Sequence, residues 1–294
     1  MSEQRKGELF SFAEAFLWGL FPVVTVITYT GVPPLVSLVW STVFAAVLFC
    51  GFVAARKRWH ELKNPLVWRY TALATLFLGV ILYCLYFTGL QYTTPGNAAL
   101  IALLGVFTSF LFFNVLRKER MSRSYVVGMI CMVLGAGVVL APNVGNLNIG
   151  DLYILLAACI APFGNFYSQK AVGVASSETV MFLRSALSVP FLLIIALLAG
   201  AHATWAEIQM SLPFLLVNGL LLLGLSKMFF LEAIHRLSVT KALSLESGSV
   251  IVTLGAAWLL LEQAPTLWQV AAVIPLLLGV ALLTDQVCLE RRTV

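Results

Sequence analysis

The sequence predicts an all-α integral membrane protein: ten transmembrane helices arranged as two inverted five-helix repeats around a central cavity. Three observations carry this reading. The 294 residues are 61% hydrophobic and 11% charged, with a mean hydropathy of +0.97, whereas a water-facing chain carries about a quarter charged residues. Ten apolar stretches approach the roughly 20 residues needed to cross a bilayer as a helix. Finally, stretches about 143–145 positions apart read alike.

The elements follow in order. The stretch 9–30 comes after Arg5 and Lys6, as the core of a signal peptide would. Glu14 and Trp18 interrupt it and no small-residue cleavage pattern follows, so it reads as a retained first helix. "GVPP" at 31–34 stops it and opens 35–55; the third span is 68–90. "TTPGN" at 93–97 places Thr94 as an N-cap with Pro95 at the first helical position of 95–116, and leaves Asn97 a capping or loop group. The fifth span, 123–141, ends at "APNVGN", 141–146. Then come 150–171, 177–199, 212–234 and 239–261, and after "EQAP" at 262–265 the tenth, 266–285.

Charge orients the set. With the N-terminus inside, the inner segments hold Arg56, Lys57, Arg58 and Lys63, then Arg117, Lys118, Arg120 and Arg123, then Lys170, Arg236, Lys241, Arg291 and Arg292. The outer segments 31–34, 91–94, 142–149, 200–211 and 262–265 hold no lysine or arginine. Positive residues stay on the cytoplasmic side, so both termini are expected in the cytoplasm, and the setting expected is a bacterial cytoplasmic (inner) membrane. The same rule accounts for the net charge of +5 without a nucleic-acid partner. Cys50, Cys84, Cys131, Cys159 and Cys288 show no metal-ligand spacing, and His60, His202 and His235 lie far apart in loops or at helix ends. No H-E-x-x-H, G-x-S-x-G or phosphate-binding loop is present. No catalytic residue, metal or cofactor is expected, and the chain is not read as an enzyme.

The stretch beginning "TPGNAALIALLG" returns as "VTKALSLESGSVIVTLG". Glu119 answers Glu262, and Trp18-Gly19 answers Phe163-Gly164. Residues 1–146 and 147–294 therefore read as two copies of five helices that together form one transport domain. Five is odd, so the second copy runs upside down relative to the first. Inverted repeats of this kind are a transporter pattern, with the site near the midplane between the halves.

The motifs "LWGLFPV", "FTGLQYTTPGNAALI", "RKERMSRSYVVGMICMVLGAGVVL", "AIHRLSVTKALSL" and "LLLEQAPTLWQVAAVIPLLLGVALL" resemble the drug/metabolite transporter superfamily, specifically its EamA-type members. The chain departs from many of them at "LESGSVIVTLG", where they carry a proline-centred element. The resemblance implies a ten-helix secondary transporter. Members include exporters of amino acids, one for aromatic amino acids, and relatives of triose-phosphate and nucleotide-sugar carriers.

The polar residues inside the spans point to the site. A charge at membrane depth costs about 2.5–3.5 kcal/mol on insertion scales and faces the bundle interior or water. At about 1.5 Å per residue, Lys227 and Glu246 fall at one depth, with Asn165 and Arg184 beside them and Glu14 slightly shallower. Glu246, Ser249 and Thr253 share one helical face. The expected substrate-binding set is Trp18, Tyr83, Tyr86, Asn165, Arg184, Lys227, Glu246 and Ser249. Glu14, Glu246 and Pro162 are candidates for coupling or gating.

Two bases against one or two acids, with aromatic residues beside them, suit a zwitterion. The bases would meet a carboxylate, Glu246 an ammonium, and Lys227 would pair with Glu246 when the site is empty. The expected function is export of a small amphipathic metabolite, an amino acid or similar zwitterion, by alternating access. The alternative within transport is a carrier or antiporter of an anionic or phosphorylated metabolite. The alternatives of another class are a non-transporting membrane scaffold, favoured by a dry packed centre, and an embedded enzyme. The partners expected are the solute and the lipid bilayer, with the protein a monomer or homodimer.

Overall fold

The computed structural model describes residues 2–117, 123–140 and 148–283, and the long regular elements among them are all helices. The first six are α1 (Glu3–Thr28), α2 (Pro34–Ala55), α3 (Pro65–Leu90), α4 (Pro95–Ala102), α5 (Leu104–Arg117) and α6 (Arg123–Leu140). The second six are α7 (Ile149–Val172), α8 (Ser177–Leu198), α9 (Trp205–Arg236), α10 (Val239–Glu246), α11 (Ser249–Leu261) and α12 (Leu267–Leu283). A short 3₁₀ turn, Arg58–Lys63, joins α2 to α3. Lys118, Glu119, Arg120, the "APNVGN" linker, Cys288, Arg291 and Arg292 lie outside the described residues.

Local chemistry sets the starts. Thr94 accepts a hydrogen bond from the Asn97 N–H at 3.2 Å, the cap expected of it. Asn64 caps α3, so that helix opens at Pro65 rather than at 68. A capping box between Thr204 and Glu207 starts α9 at Trp205, seven residues ahead of the expected 212. The acid at the head of α1 draws that helix back to Glu3, where the Ser2 hydroxyl caps it.

Two expected spans are broken. The stretch 95–116 parts at Leu103, where the backbone tightens to Leu103 N–H→Leu100 O (3.3 Å) and Val106 N–H→Leu103 O (2.9 Å). The stretch 239–261 parts at Ser247-Gly248, a serine–glycine pair of the kind that interrupts helices. These breaks lie 144 residues apart. The middle of α3, Thr75–Leu82, and the middle of α9, Val217–Leu225, are both π-helical, and their starts lie 142 residues apart. The repeat seen in the sequence is thus also a repeat of irregularities.

Among the described residues, seven helices are long and apolar enough to cross a membrane: α1, α2, α3, Pro95–Phe113, α7, α8 and α9. Val126–Leu140, Ser249–Leu261 and Leu267–Leu283 are apolar but shorter. The shortfall from the expected ten has a local cause for α11, since the Ser247-Gly248 break removes its first two turns. Polar groups are buried within the apolar interior and large apolar ones face outward: Glu14, Ser37, Asn218 and Ser226 are fully buried, while Leu267, Leu198 and Leu259 are 80–87% exposed. That is the arrangement a hydrocarbon solvent selects.

Packing obeys a simple rule. α2 lies along α8, and α6 along α12; α1 packs on α9 and α11, while α7 packs on α3 and α5. Moving each element six places along the chain leaves this set of pairs unchanged. The closest approach that matters for the site is at Gly19. A Cβ there would fall 2.5 Å from Val252 Cβ and 2.6 Å from the Ser249 carbonyl. Without one, the Thr253 hydroxyl reaches the Gly19 carbonyl at 2.7 Å.

At the end where the chain starts, Glu61 accepts from the N–H and hydroxyl of Ser176 at 2.9 and 2.7 Å, with Arg58 at 3.1 Å. Burial pushes the Glu61 carboxyl up, but hydrogen bonds from Thr179 and Ser176, with Arg58, outweigh it and hold the group below the usual carboxylate range.

Two predictions follow from this packing. Gly19→Ala lowers the thermal unfolding temperature in detergent by an amount corresponding to about 1–3 kcal/mol of overpacking; Gly137→Ala, with open space at its Cβ, leaves it unchanged. A depressed carboxyl contributes stability above its unfolded pKa of about 4.3, lost as pH falls through the lower folded value. Unfolding temperatures measured from pH 6 downward should therefore drop more gently in Glu61→Gln than in the parent.

Candidate functional site

Both helix breaks open onto one cavity. It has a volume of about 130 Å³ and lies between the halves. Ala102, Leu103 and Gly105 border it at the first break, and Glu246, Ser247 and Ser249 at the second. The two π-helical rods reach it as well, α3 through Leu78, Leu82, Tyr83 and Tyr86, α9 through Lys227 and Phe230. α7 supplies a small-residue wall of Ala157, Ala158 and Ala161 ending at Asn165, and α8 supplies Arg184. One end of the cavity is therefore charged and the other is alanine and leucine.

Four ionisable side chains define the charged end. The Lys227 ammonium sits 2.5 Å from Glu14 Oε1, 3.9 Å from Glu246 Oε1 and 3.4 Å from the centre of the Trp18 ring. Trp18 is held in turn by stacking on Phe21, with ring centres 4.4 Å apart, and by Tyr86 at 6.0 Å. Glu14 is fully buried, takes a second bond from the Ser226 hydroxyl at 3.3 Å, and leaves Oε2 without a partner among the described residues.

Glu246 and Arg184 differ from that pair. Glu246 makes no hydrogen bond with a described residue, and its one ion-pair contact is the 3.9 Å approach of Lys227. Arg184 is 5% exposed, lies on the wall, and makes no side-chain hydrogen bond or ion pair with a described residue. The cavity thus presents one acid and one base, each still open to a partner.

The two ends of the bundle are built differently. At the end where the chain starts, ion pairs join the first half to the second: Glu3 to Arg236 at 3.0 Å, Glu8 to Lys241 at 2.8 Å, and Arg56 to Glu178. At the other end, hydrogen bonds link Thr93 to Asp151 and Asn97 to Gln269. Beside them is a hollow of about 530 Å³ walled by Tyr29, Gly31, Pro33, Gln91, Thr94 and Gln263.

Comparison with known proteins assigns this architecture. The model of the EamA-like transporter family matches the chain twice, at residues 5–141 and 148–285. The chain belongs to the EamA-like transporter family. It is an integral membrane transporter of the drug/metabolite type and not an enzyme. No curated protein matches it in sequence. A solved crystal structure shares the fold at a TM-score of 0.71 with 21% identity, covering 95% of this chain and 96% of its own.

In this EamA chain all eight residues expected around a substrate line the cavity: Trp18, Tyr83, Tyr86, Asn165, Arg184, Lys227, Glu246 and Ser249. The expected Lys227–Glu246 pair is present at 3.9 Å, and Lys227 has a tighter partner in Glu14, at 2.5 Å, one turn before Trp18 on α1. Glu14 and Pro162 are buried and stand behind the wall rather than on it. Sequence reasoning missed the α4–α5 wall, Ala99 to Val106. Its signal was present, since "NAALIALLG" is the repeat counterpart of the "KALSLESG" that carries Glu246.

Removing one member of a buried pair costs more than removing both. Lys227→Met should lower unfolding stability in detergent by about 3 kcal/mol, because Glu14 keeps only Ser226. The double variant Glu14→Gln/Lys227→Met should recover most of that loss in the same thermal scan.

Proposed function

We propose that this EamA transporter carries a small amphipathic zwitterion of the amino-acid type outward across a bacterial cytoplasmic membrane, by alternating access. The observation that carries the reading is a pair of groups of opposite charge on the cavity wall: Arg184, with no side-chain partner among the described residues, and Glu246, with only the 3.9 Å approach of Lys227. Arg184 takes the carboxylate in a two-pronged contact and Glu246 takes the ammonium. The side chain lies between Tyr83 and Tyr86 and the alanine wall of α7. Asn165 and Ser249 supply neutral hydrogen bonds at the rim of the charged end. Exchange of a distant lysine for a substrate ammonium offsets part of the desolvation cost at Glu246.

The phosphorylated-anion alternative needs Arg184 and Lys227 together, and Glu14 already holds Lys227 at 2.5 Å. Charged groups set on the wall of an otherwise apolar cavity inside the bundle speak against a scaffold.

Ten spans in two inverted repeats, 1–146 and 147–294, complete the proposal. The double family match, the paired breaks, the paired π segments and the six-place packing rule support it. Both termini are cytoplasmic in this reading, which puts the ion-paired end inside and the 530 Å³ hollow outside. Rocking of one repeat against the other would exchange these two ends around a fixed cavity. Outward transport follows the family's amino acid exporters. Glu14 and Pro162, behind the wall, are placed to respond to that movement.

The test is exchange transport in proteoliposomes, with leucine, phenylalanine, a sugar phosphate and a nucleobase as competitors. The amino acids should compete and the sugar phosphate should not. Arg184→Gln should weaken amino acid competition at least about tenfold, the loss expected for a charged hydrogen bond. Competition by the sugar phosphate alone would overturn the reading.

A further inference from the structure

Two bases and two acids cluster at the cavity; Arg184, Lys227 and Glu246 line it, and Glu14 stands behind the wall. Lys227 is on the wall, yet its ammonium points at Glu14 and at the Trp18 ring, and Glu14 itself is sealed from the cavity. Lys227 is also within 3.9 Å of Glu246, the acid left open. One ammonium thus stands between two carboxylates that compete for it, at 2.5 and 3.9 Å. Where it rests decides whether Glu246 is available to anything else.

We infer that Glu14 sets the charge preference of the site without touching the solute, by holding Lys227 at 2.5 Å and so keeping it at the longer 3.9 Å from Glu246. With Glu14 in place, Arg184 and Glu246 face the cavity as a balanced pair. With its charge removed, the buried ammonium has one carboxylate left and moves onto it, because an unpaired charge at this depth is costly. Glu246 is then neutralised and Arg184 alone faces the solute. The site becomes one that prefers an anion. Glu14 is a positioning residue acting through Lys227, and Trp18 is the surface along which the ammonium is kept. The inference uses the zwitterion reading only for the choice of probes.

The experiment compares three probes of one skeleton: leucine, its des-amino acid 4-methylpentanoate, and its decarboxylated amine 3-methylbutylamine. Each is measured for binding to purified protein by thermal shift, and for competition in exchange transport. Glu14→Gln should move the ratio of carboxylate to amino acid affinity toward the carboxylate by about tenfold or more, the scale of a lost charge partner. The double variant Glu14→Gln/Lys227→Met should return the ratio toward the parent's, since Arg184 and Glu246 again face the cavity together. A structural role for Glu14 would weaken all three probes alike and would not be reversed by removing a second residue. An unchanged probe order in Glu14→Gln overturns the inference, as does a double variant that still prefers the carboxylate. A parent that responds to none of the three overturns the zwitterion reading on which the probes were chosen. A parent that already prefers the carboxylate also overturns that reading, while leaving the Glu14 shift to be read from the same ratio.

Discussion

The ammonium of Lys227 is buried inside the helix bundle, and much of this structure is arranged around satisfying it. Its position in α9 fixes Glu14 of α1 at hydrogen-bond distance and places the Trp18 ring against it at 3.4 Å. Trp18 lies one turn beyond Glu14 on the same helix, so a single helix supplies both the counter-charge and the ring. Seating that helix requires a residue with no side chain where it meets α11. Gly19 provides it, and Thr253 bonds its carbonyl. The demand of one buried charge thus reaches from chemistry to the way two helices touch.

Irregular backbone is the second theme. In hydrocarbon, a break in a helix leaves polar groups that only protein or a water-lined space can satisfy. Here the Leu103 and Ser247-Gly248 breaks both fall on the cavity wall, and the π segment of α3 lines it through Leu78 and Leu82. The cavity is therefore where the chain can tolerate broken helices. It is also where Glu246, the last residue of α10, is freed from regular packing to face an open space.

Much of this was legible in the sequence because the hydrocarbon constraint acts on composition and depth. Apolar stretches located the helices, and a depth count of about 1.5 Å per residue singled out Lys227, Glu246, Arg184 and Asn165, all of which line the cavity. What failed depended on direction and on local backbone. Depth alone cannot say which acid Lys227 points toward, and the slightly shallower Glu14 is the closer of its two partners. The Leu103 break has no proline to announce it. The early start of α9 is written in the Thr204–Glu207 capping box, a signal outvoted by the polar residues that follow it.

The packing rule also bears on how such a chain assembles. α1 rests on α9 and α11, and α7 on α3 and α5, so each half's leading helix is seated in the other half. Glu14 must wait 213 residues of synthesis for Lys227. Until then its carboxylate and the Gly19 groove have no native neighbours, and the first six elements lack the α7 rod against which α3 and α5 pack. The halves are interlocked rather than stacked. The first half cannot complete its packing as it leaves the ribosome, because α1 waits for α9 and α11 of the second.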